Sequence, residues 1–186
     1  MSLNRKVVLA GVLIVAWLGI LFAAFWSFQG RYLRSYPDTT QLFDGQALQL
    51  PAQLAGPGHI RVVHFWDPEC PCNVANQQHL ASLIKRFEPQ GVDFYAYRKP
   101  GTQGRLASEL WGLKPLPEFP SPPPIAASPS VAVWDRDGKL AYFGPYSEGA
   151  TCTSANSFIE PVIQALVEGR QVKSPSTLAT GCYCDW

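Results

Sequence analysis

The longest hydrophobic run of the chain lies near its N-terminus. From Val7 to Phe28 the sequence contains no charged residue, and Trp26 stands near the end of the run. A helix of about 22 residues rises about 33 Å, which is enough to cross a hydrocarbon core of about 30 Å. We therefore predict a transmembrane anchor at residues 1–28, with membrane contact through Val7–Phe28. The alternative is a cleaved signal sequence, whose apolar region is shorter.

The rest of the chain carries shorter patterns, which follow a linker predicted at residues 29–42. Runs rich in β-branched and aromatic residues predict four strands: Ile60–Trp66, Val92–Tyr97, Ser130–Trp134 and Lys139–Phe143. The last two strands are separated by Asp135–Gly138, which has the composition of a hairpin turn.

Apolar residues at helical spacing predict two helices. The first covers residues 73–87. The second begins at the capping-box pair Ser157 and Glu160 and ends near Glu168, where Gly169 suits the helix end.

The stretch between the second and third predicted strands is less regular. Residues 104–113 predict a weak helix, and residues 114–129 predict a loop because they contain seven prolines. The resulting order, in which strands alternate with helices, is typical of an α/β fold with a mixed central sheet.

The net charge and the cysteine content reduce the number of function classes that fit this chain. The net charge is +1 and no basic stripe occurs, so we predict no nucleic-acid partner. The chain has five cysteines, more than a reduced cytosolic protein usually carries. Because the number is odd, at least one thiol stays free, binds a metal or pairs between molecules.

Charges flanking the anchor do not decide its orientation, because Arg5 and Lys6 precede it and Arg31 and Arg34 follow it. Disulfides need an oxidising compartment. We therefore predict a single-pass protein of the bacterial inner (cytoplasmic) membrane, with its body in the periplasm or outside the cell.

Four segments carry a resemblance to a known family: Phe43–Leu50, His64–Trp66 followed by Cys70, Ser128–Ser130, and Asp135–Gly138. In this order they resemble the opening strand pair, the strand that leads into the active site, the cis-proline and the hairpin turn of thioredoxin-like domains. The resemblance is to the membrane-tethered, extracytoplasmic TlpA/ResA type of thiol–disulfide oxidoreductase. It implies a thioredoxin-like three-layer fold at residues 43–170 and leaves residues 171–186 as a cysteine-containing tail.

The sequence departs from this family at the active site. The family has two residues between its cysteines, whereas only Pro71 separates Cys70 from Cys72, and Glu69 replaces the usual Trp. The resemblance implies a substrate groove lined by Ser128, Pro129 and Trp66, with Pro129 in the cis form.

His64 stands at the position of the family's buried acid. The resemblance therefore implies that His64 accepts the proton of the resolving thiol. The alternative is a hydrogen-bonded core histidine.

Cys70 and Cys72 lie where a strand ends and a helix begins. Free N–H groups and the helix dipole favour an anion there, so a thiolate can form near neutral pH. We predict Cys70 as the more exposed nucleophile and Cys72 as the resolving thiol, with a disulfide between the two in the oxidised state. Asp67 and Glu69 oppose this, because negative charge raises a thiol pKa. The alternative is two structural cysteines without catalysis.

The other three cysteines are Cys152, Cys182 and Cys184. We predict that the tail folds back on the body through Tyr183 and Trp186, which gives Cys152 a partner in Cys182 or Cys184. This bond is a plain stabilising disulfide, or the thiols converge into a relay or a metal site. No cofactor is expected, and His59 and His79 are expected at the surface.

Three functions remain open at this stage. The first is an envelope thiol–disulfide oxidoreductase that exchanges disulfides with partner proteins through their thiols. The second is a copper- or zinc-binding module, and the third is a non-catalytic interaction domain.

Overall fold

A computed structural model of the protein describes residues 2–36, 48–116, 119, 125–149, 151–172 and 179–186. Three short 3-10 turns occur at Pro71–Asn73, Glu88–Gln90 and Ser108–Leu110. In chain order the helices and strands are α1 (Ser2–Tyr32), β1 (Leu33–Tyr36), β2 (Ile60–Trp66), α2 (Val74–Phe87), β3 (Val92–Arg98), β4 (Lys114–Pro115), β5 (Ala127–Ser128), β6 (Ser130–Trp134), β7 (Leu140–Gly144), α3 (Ile159–Val167), β8 (Ala179–Cys182) and β9 (Cys184–Asp185).

The apolar helix α1 is exposed along its length. Its span Asn4–Tyr32 has 29 residues, and its most apolar 18-residue stretch has a mean hydropathy of 2.7. No residue of that stretch is buried. A helix of this length and composition could anchor the chain in a membrane or serve as a signal sequence.

Five strands form the central sheet of the described chain, in the order β4-β3-β2-β6-β7. Strand β2 lies in the middle, parallel to β3 and antiparallel to β6. All seven residues of β2 are buried, including Arg61 and His64, as its run rich in β-branched and aromatic residues predicts. These findings confirm the α/β fold class with a mixed central sheet behind one apolar N-terminal helix.

The two faces of the sheet are covered differently. On one face, Leu80 of α2 and Ile163 of α3 share a core with Val62 of β2. The opposite face, which Phe65 of β2 presents, is covered in the described residues by extended segments and the C-terminal Trp186. Side chains alternate across a strand, so each face of β2 contributes to a separate apolar cluster.

Local signals explain the ends of α3 and the hairpin turn. The backbone N–H of Glu160 donates to the hydroxyl of Ser157 at 3.1 Å, as the capping-box spacing predicts. Gly169 adopts a positive φ of 77° just after α3.

In the hairpin between β6 and β7, the Asp135 carboxylate accepts hydrogen bonds from the backbone N–H groups of Asp137 and Lys139.

Three predicted segments need correction. The predicted linker, residues 29–42, begins as ordered structure, because α1 continues to Tyr32 and β1 follows at once; residues 37–42 lie outside the described residues. Strand β1 exists because it pairs antiparallel with β8 from the far end of the chain. A strand whose partner is so distant leaves no local pattern.

The weak helix predicted at residues 104–113 is wrong, since only the 3-10 turn Ser108–Leu110 forms there. Gly104 and Gly112 disfavour a longer helix. The predicted loop, residues 114–129, contains the short strands β4 and β5, while residues 117–118 and 120–124 lie outside the described residues.

The predicted opening strand pair at Phe43–Leu50 falls mostly outside the described residues. Of this segment Leu48, Gln49 and Leu50 are described, and they are not in a strand. Leu48 and Leu50 are buried against the sheet.

Candidate functional site: a four-cysteine centre

The Cys70-Pro71-Cys72 segment lies between the end of β2 and the start of α2. After Trp66 the chain turns, and the backbone N–H of Cys70 donates to the carbonyl of Asp67 at 2.9 Å. Pro71 opens the 3-10 turn that leads into α2, where a missing N–H does no harm. Both cysteines therefore stand at a helix start, as the sequence predicts.

Each of these cysteines is bonded to the C-terminal tail. Cys70 pairs with Cys184 and Cys72 pairs with Cys182, at Cα–Cα distances of 5.8 and 5.4 Å. The tail does fold back on the body, as predicted. The expected bond between Cys70 and Cys72 does not form, however.

Cys152 is the free cysteine of the chain, so its predicted bond to Cys182 or Cys184 is wrong. Sequence alone does not determine connectivity among five cysteines. Strands β8 and β9 decide it here, because they bring Cys182 and Cys184 to Cys72 and Cys70. The backbone of Cys152 also contacts the first turn of α2 at Ala75, but its sulfur lies 3.8 Å from the carbonyl oxygen of Tyr146.

The two disulfides lie side by side. The sulfurs of Cys70, Cys72 and Cys184 are all within 4.8 Å of one another. Tyr32, the last residue of α1, and Cys184 pack against the cluster that Cys70, Cys72 and Cys182 form. A thiolate generated at one of these sulfurs would therefore lie beside an intact disulfide.

Cys70 is the more exposed cysteine of the pair, as predicted, but both are buried, and its role as the nucleophile stays a prediction. Cys70 is 4% exposed and Cys72 is 1% exposed. Tyr32 and the tail cover both, and the N–H of Tyr183 donates to the carbonyl of Tyr32 at 2.9 Å. Access to the sulfurs therefore requires the tail to move.

The buried carboxylate of Asp67 is neutralised by Lys99. The Nζ atom of Lys99 lies 2.9 Å from Asp67 Oδ2 and also donates to the carbonyl of Asp185 in the tail at 3.0 Å. One of the two negative charges that we expected to oppose thiolate formation, that of Asp67, is therefore paired with a cation. Lys99 was not predicted from the sequence, in which the one feature that indicates a role at the site is its position directly after β3.

Of the three predicted groove residues, Ser128 contacts Cys70, Pro129 follows Ser128 in the chain, and Trp66 lines an open cavity. The Ser128–Pro129 bond is cis, and Cys70 Sγ lies 3.5 Å from the carbonyl oxygen of Ser128. The hydroxyl of Ser128 accepts a hydrogen bond from the backbone N–H of Asp67 at 2.9 Å. Trp66 is buried and contributes to the wall of an open cavity of about 420 Å³, beside Tyr97 and Lys99.

His64 is a buried residue of β2. Its Nδ1 atom lies 2.6 Å from the hydroxyl of Tyr146. Burial lowers the pKa of His64 to about 3, and burial raises the pKa of Tyr146 well above its ordinary value, so both side chains are neutral. A neutral imidazole with this pKa is a weak proton acceptor, and the hydrogen bond matches the alternative of a core histidine. Its predicted role as a proton acceptor stays a prediction.

A second polar cluster surrounds the free Cys152. Burial raises the pKa of this thiol, while hydrogen bonds with Ser147 and Ser157 lower it. Ser157 also bonds to His79 Nε2 at 2.9 Å, and His79 is buried, which corrects its expected surface position. His59 is exposed, as expected. A buried thiol with a raised pKa is inert, so this cluster is structural.

Fold and site together define a mixed α/β protein with an apolar N-terminal helix and a buried centre of two adjacent disulfides at a helix start. The chain belongs to the family described as Domain of unknown function (DUF6436), which matches residues 39–186. No curated protein matches the chain.

Two solved structures are similar to it. One is an uncharacterized conserved protein from Geobacillus kaustophilus, with 21% sequence identity and a TM-score of 0.60, covering 83% of this chain and 97% of that one. The other is a hypothetical protein from Sinorhizobium meliloti, with 19% identity and a TM-score of 0.51, covering 66% of this chain and 79% of that one. These similarities support the fold.

Proposed function

We propose that this protein is a membrane-anchored thiol–disulfide oxidoreductase whose redox centre consists of Cys70, Cys72, Cys182 and Cys184. The observation that carries the proposal is the spacing of the sulfurs, three of which lie within 4.8 Å of one another. Disulfide exchange requires a thiolate to reach a disulfide sulfur, and this spacing provides that arrangement within one molecule.

The chemistry follows from the two bonds. A partner dithiol reduces Cys72–Cys182, giving two electrons and two protons and leaving as a disulfide. The Cys72 thiol loses its proton to water, and its thiolate attacks the sulfur of Cys70. A Cys70–Cys72 disulfide forms, the Cys70–Cys184 bond breaks, and Cys184 leaves as a thiolate that takes up a proton. The helix start and the pairing of Asp67 with Lys99 favour the thiolate.

The cis Pro129 beside Cys70 and the mixed sheet support a thioredoxin-like domain of the TlpA/ResA type. Helix α1 supports anchoring in the inner membrane. The disulfides require an oxidising compartment, so the body faces the periplasm or the cell exterior. The partners of this proposed activity are proteins that carry reactive thiols or disulfides.

Insulin reduction with dithiothreitol tests the proposal, using the full chain in detergent micelles. We expect the wild-type chain to accelerate reduction, the Cys70→Ala variant to lose the acceleration, and the Cys152→Ser variant to keep it. The proposal fails if the wild-type chain is no faster than dithiothreitol alone, or if Cys70→Ala is as fast as wild type. Either result would favour a non-catalytic interaction domain.

A metal-binding module is the second candidate, because the same three sulfurs offer thiolate ligands once the disulfides are reduced. Thiolates suit zinc or Cu(I). Metal analysis of the full chain, purified reduced and without oxygen, tests this. Stoichiometric zinc or copper that is lost in Cys70→Ala and kept in Cys152→Ser would favour the candidate, and a metal content near zero would eliminate it.

A further inference from the structure

The C-terminal tail lies in the groove beside Cys70 as an added strand. β9 pairs antiparallel with β5, with Asp185 opposite Ala127 and Cys184 opposite Ser128. The pairing continues to Trp186, whose N–H donates to the carbonyl of Ala126 at 3.3 Å. Backbone pairing of this kind binds any extended segment, whatever its side chains.

Side chains of the body also contact the tail at specific positions. The ring of Trp186 stacks on Tyr97 and meets Phe65 edge-on, with centroid distances of 6.2 Å in both cases. Lys99 donates a hydrogen bond to the Asp185 carbonyl, and Cys70 forms a disulfide with Cys184. The groove therefore recognises a cysteine, an extended backbone and an aromatic ring two residues further on.

We propose that Cys184–Trp186 occupies this groove as an internal substrate, in the place of a partner segment with a cysteine followed two residues later by an aromatic residue. This proposal rests on the proposed function, because it names the substrate class of the same centre. The groove is complementary to the tail in three independent ways, and a plain stabilising disulfide requires neither the paired backbone nor the aromatic contact.

The exchange with a partner disulfide begins once a second partner dithiol has reduced Cys70–Cys72 and has left as a disulfide. With the tail displaced, the Cys70 thiolate attacks the partner's cysteine sulfur in a disulfide. A Cys70–partner bond forms and the other half of the partner disulfide leaves as a thiolate. Cys72, after losing its proton, attacks the Cys70 sulfur, forms Cys70–Cys72, and releases the partner cysteine as a thiolate that takes up a proton.

A peptide that copies residues 180–186 tests the proposal, with Cys182→Ser in the peptide and Cys184 carried as a mixed disulfide with thionitrobenzoate. The protein is the full chain in detergent micelles, reduced and desalted, with Cys182→Ala, Cys184→Ala and Trp186→Ala so that its own tail does not compete. Release of thionitrobenzoate measures the attack of Cys70. The matched control peptide carries Trp186→Ala, and the control protein adds Cys70→Ala.

We expect the copied peptide to react about tenfold faster than the control peptide, because two aromatic contacts are lost in the latter. Equal Cys70-dependent rates for both peptides would overturn the internal substrate and leave the proposed function intact. Release that does not depend on Cys70 would overturn both.

A second measurement does not require the chain with three tail substitutions to fold. In the otherwise wild-type chain, Trp186→Ala should speed the reduction of Cys70–Cys184 by dithiothreitol several-fold, as followed by alkylation and mass spectrometry. An unchanged rate would count against the groove as the binding site of Trp186.

Discussion

At the scale of single residues, the buried Asp67 carboxylate is stabilised by its ion pair with Lys99. Its side chain is 7% exposed and Lys99 lies 2.9 Å away. We expect Lys99→Met to lower the free energy of unfolding by about 1–3 kcal/mol, between the values for exposed and buried pairs. Urea unfolding of the oxidised chain measures this. Lys114→Met is the control, since Lys114 pairs with the more exposed Asp93, and it should cost less than about 1 kcal/mol. Equal losses would contradict the expectation.

His64 makes the stability depend on pH. Its pKa is about 3 in the folded chain and 6.5 as the ordinary value, so its stabilisation is complete above pH 6.5 and is lost as the pH falls toward 3. Between pH 7 and 5.5 we expect the wild-type chain to lose about 1 kcal/mol more than His64→Phe. Urea unfolding at the two pH values measures the difference. An equal loss in His64→Phe would contradict the prediction.

The residues of the site were more predictable than their bonding partners. The local pattern of a strand end and a helix start places Cys70 and Cys72, whereas the resemblance to a thioredoxin-like domain placed Ser128 and Pro129 beside them. The pairing of Cys70 with Cys184 was not predictable, because it depends on strands of two to four residues that form only against a distant partner.

At the scale of elements, four of the five strands of the central sheet (β2, β3, β6 and β7) and the two helices that cover it were predictable, because each has its own local pattern. The short strands β1, β4, β5, β8 and β9 were not, because each is too short to show a period and forms only by pairing. The tail is thus held by contacts that no local pattern encodes.

Gly181 allows β8 to pack closely against the body, because it has no side chain. A Cβ at this position would lie 2.5 Å from the Tyr183 hydroxyl oxygen and 2.9 Å from the Gly149 carbonyl oxygen, which is backbone and cannot swing away. We expect Gly181→Ala to loosen the tail and to raise the rate of hydrogen exchange in β8 and β9 about tenfold or more. Thr180→Ala, at an exposed neighbouring position, should leave exchange unchanged. Unchanged exchange in Gly181→Ala would contradict the packing described.

At the scale of the whole molecule, the tail joins the apolar helix to the body. α1 runs directly into β1, β1 pairs with β8, and β8 carries Cys182, which is bonded to Cys72. The four-cysteine centre therefore lies at the end of α1, with Tyr32 packed against it. If α1 spans a membrane, the four sulfurs lie near the membrane surface. Reduction of both disulfides removes the cross-links that hold the tail against the start of α2.

The two disulfides should stabilise the fold in a strongly non-additive way. They cross-link residues 114 and 110 positions apart, so either one alone closes a loop of more than a hundred residues. With one bond present, the other closes only a ring of about six residues. By loop entropy, we expect replacement of either cysteine pair by alanine to cost about 2 kcal/mol, and replacement of all four to cost about 7 kcal/mol.

Urea unfolding of three variants measures this coupling: the Cys70/Cys184 pair, the Cys72/Cys182 pair, and all four cysteines, each changed to alanine. Cys152→Ala provides the control for the loss of one buried sulfur. A cost for all four that merely equals the sum of the two pairs would mean that the denatured chain does not gain the freedom of one large loop. The tail would then be held mainly by its strand pairing and aromatic contacts, with the sulfur bonds contributing locally at the start of α2.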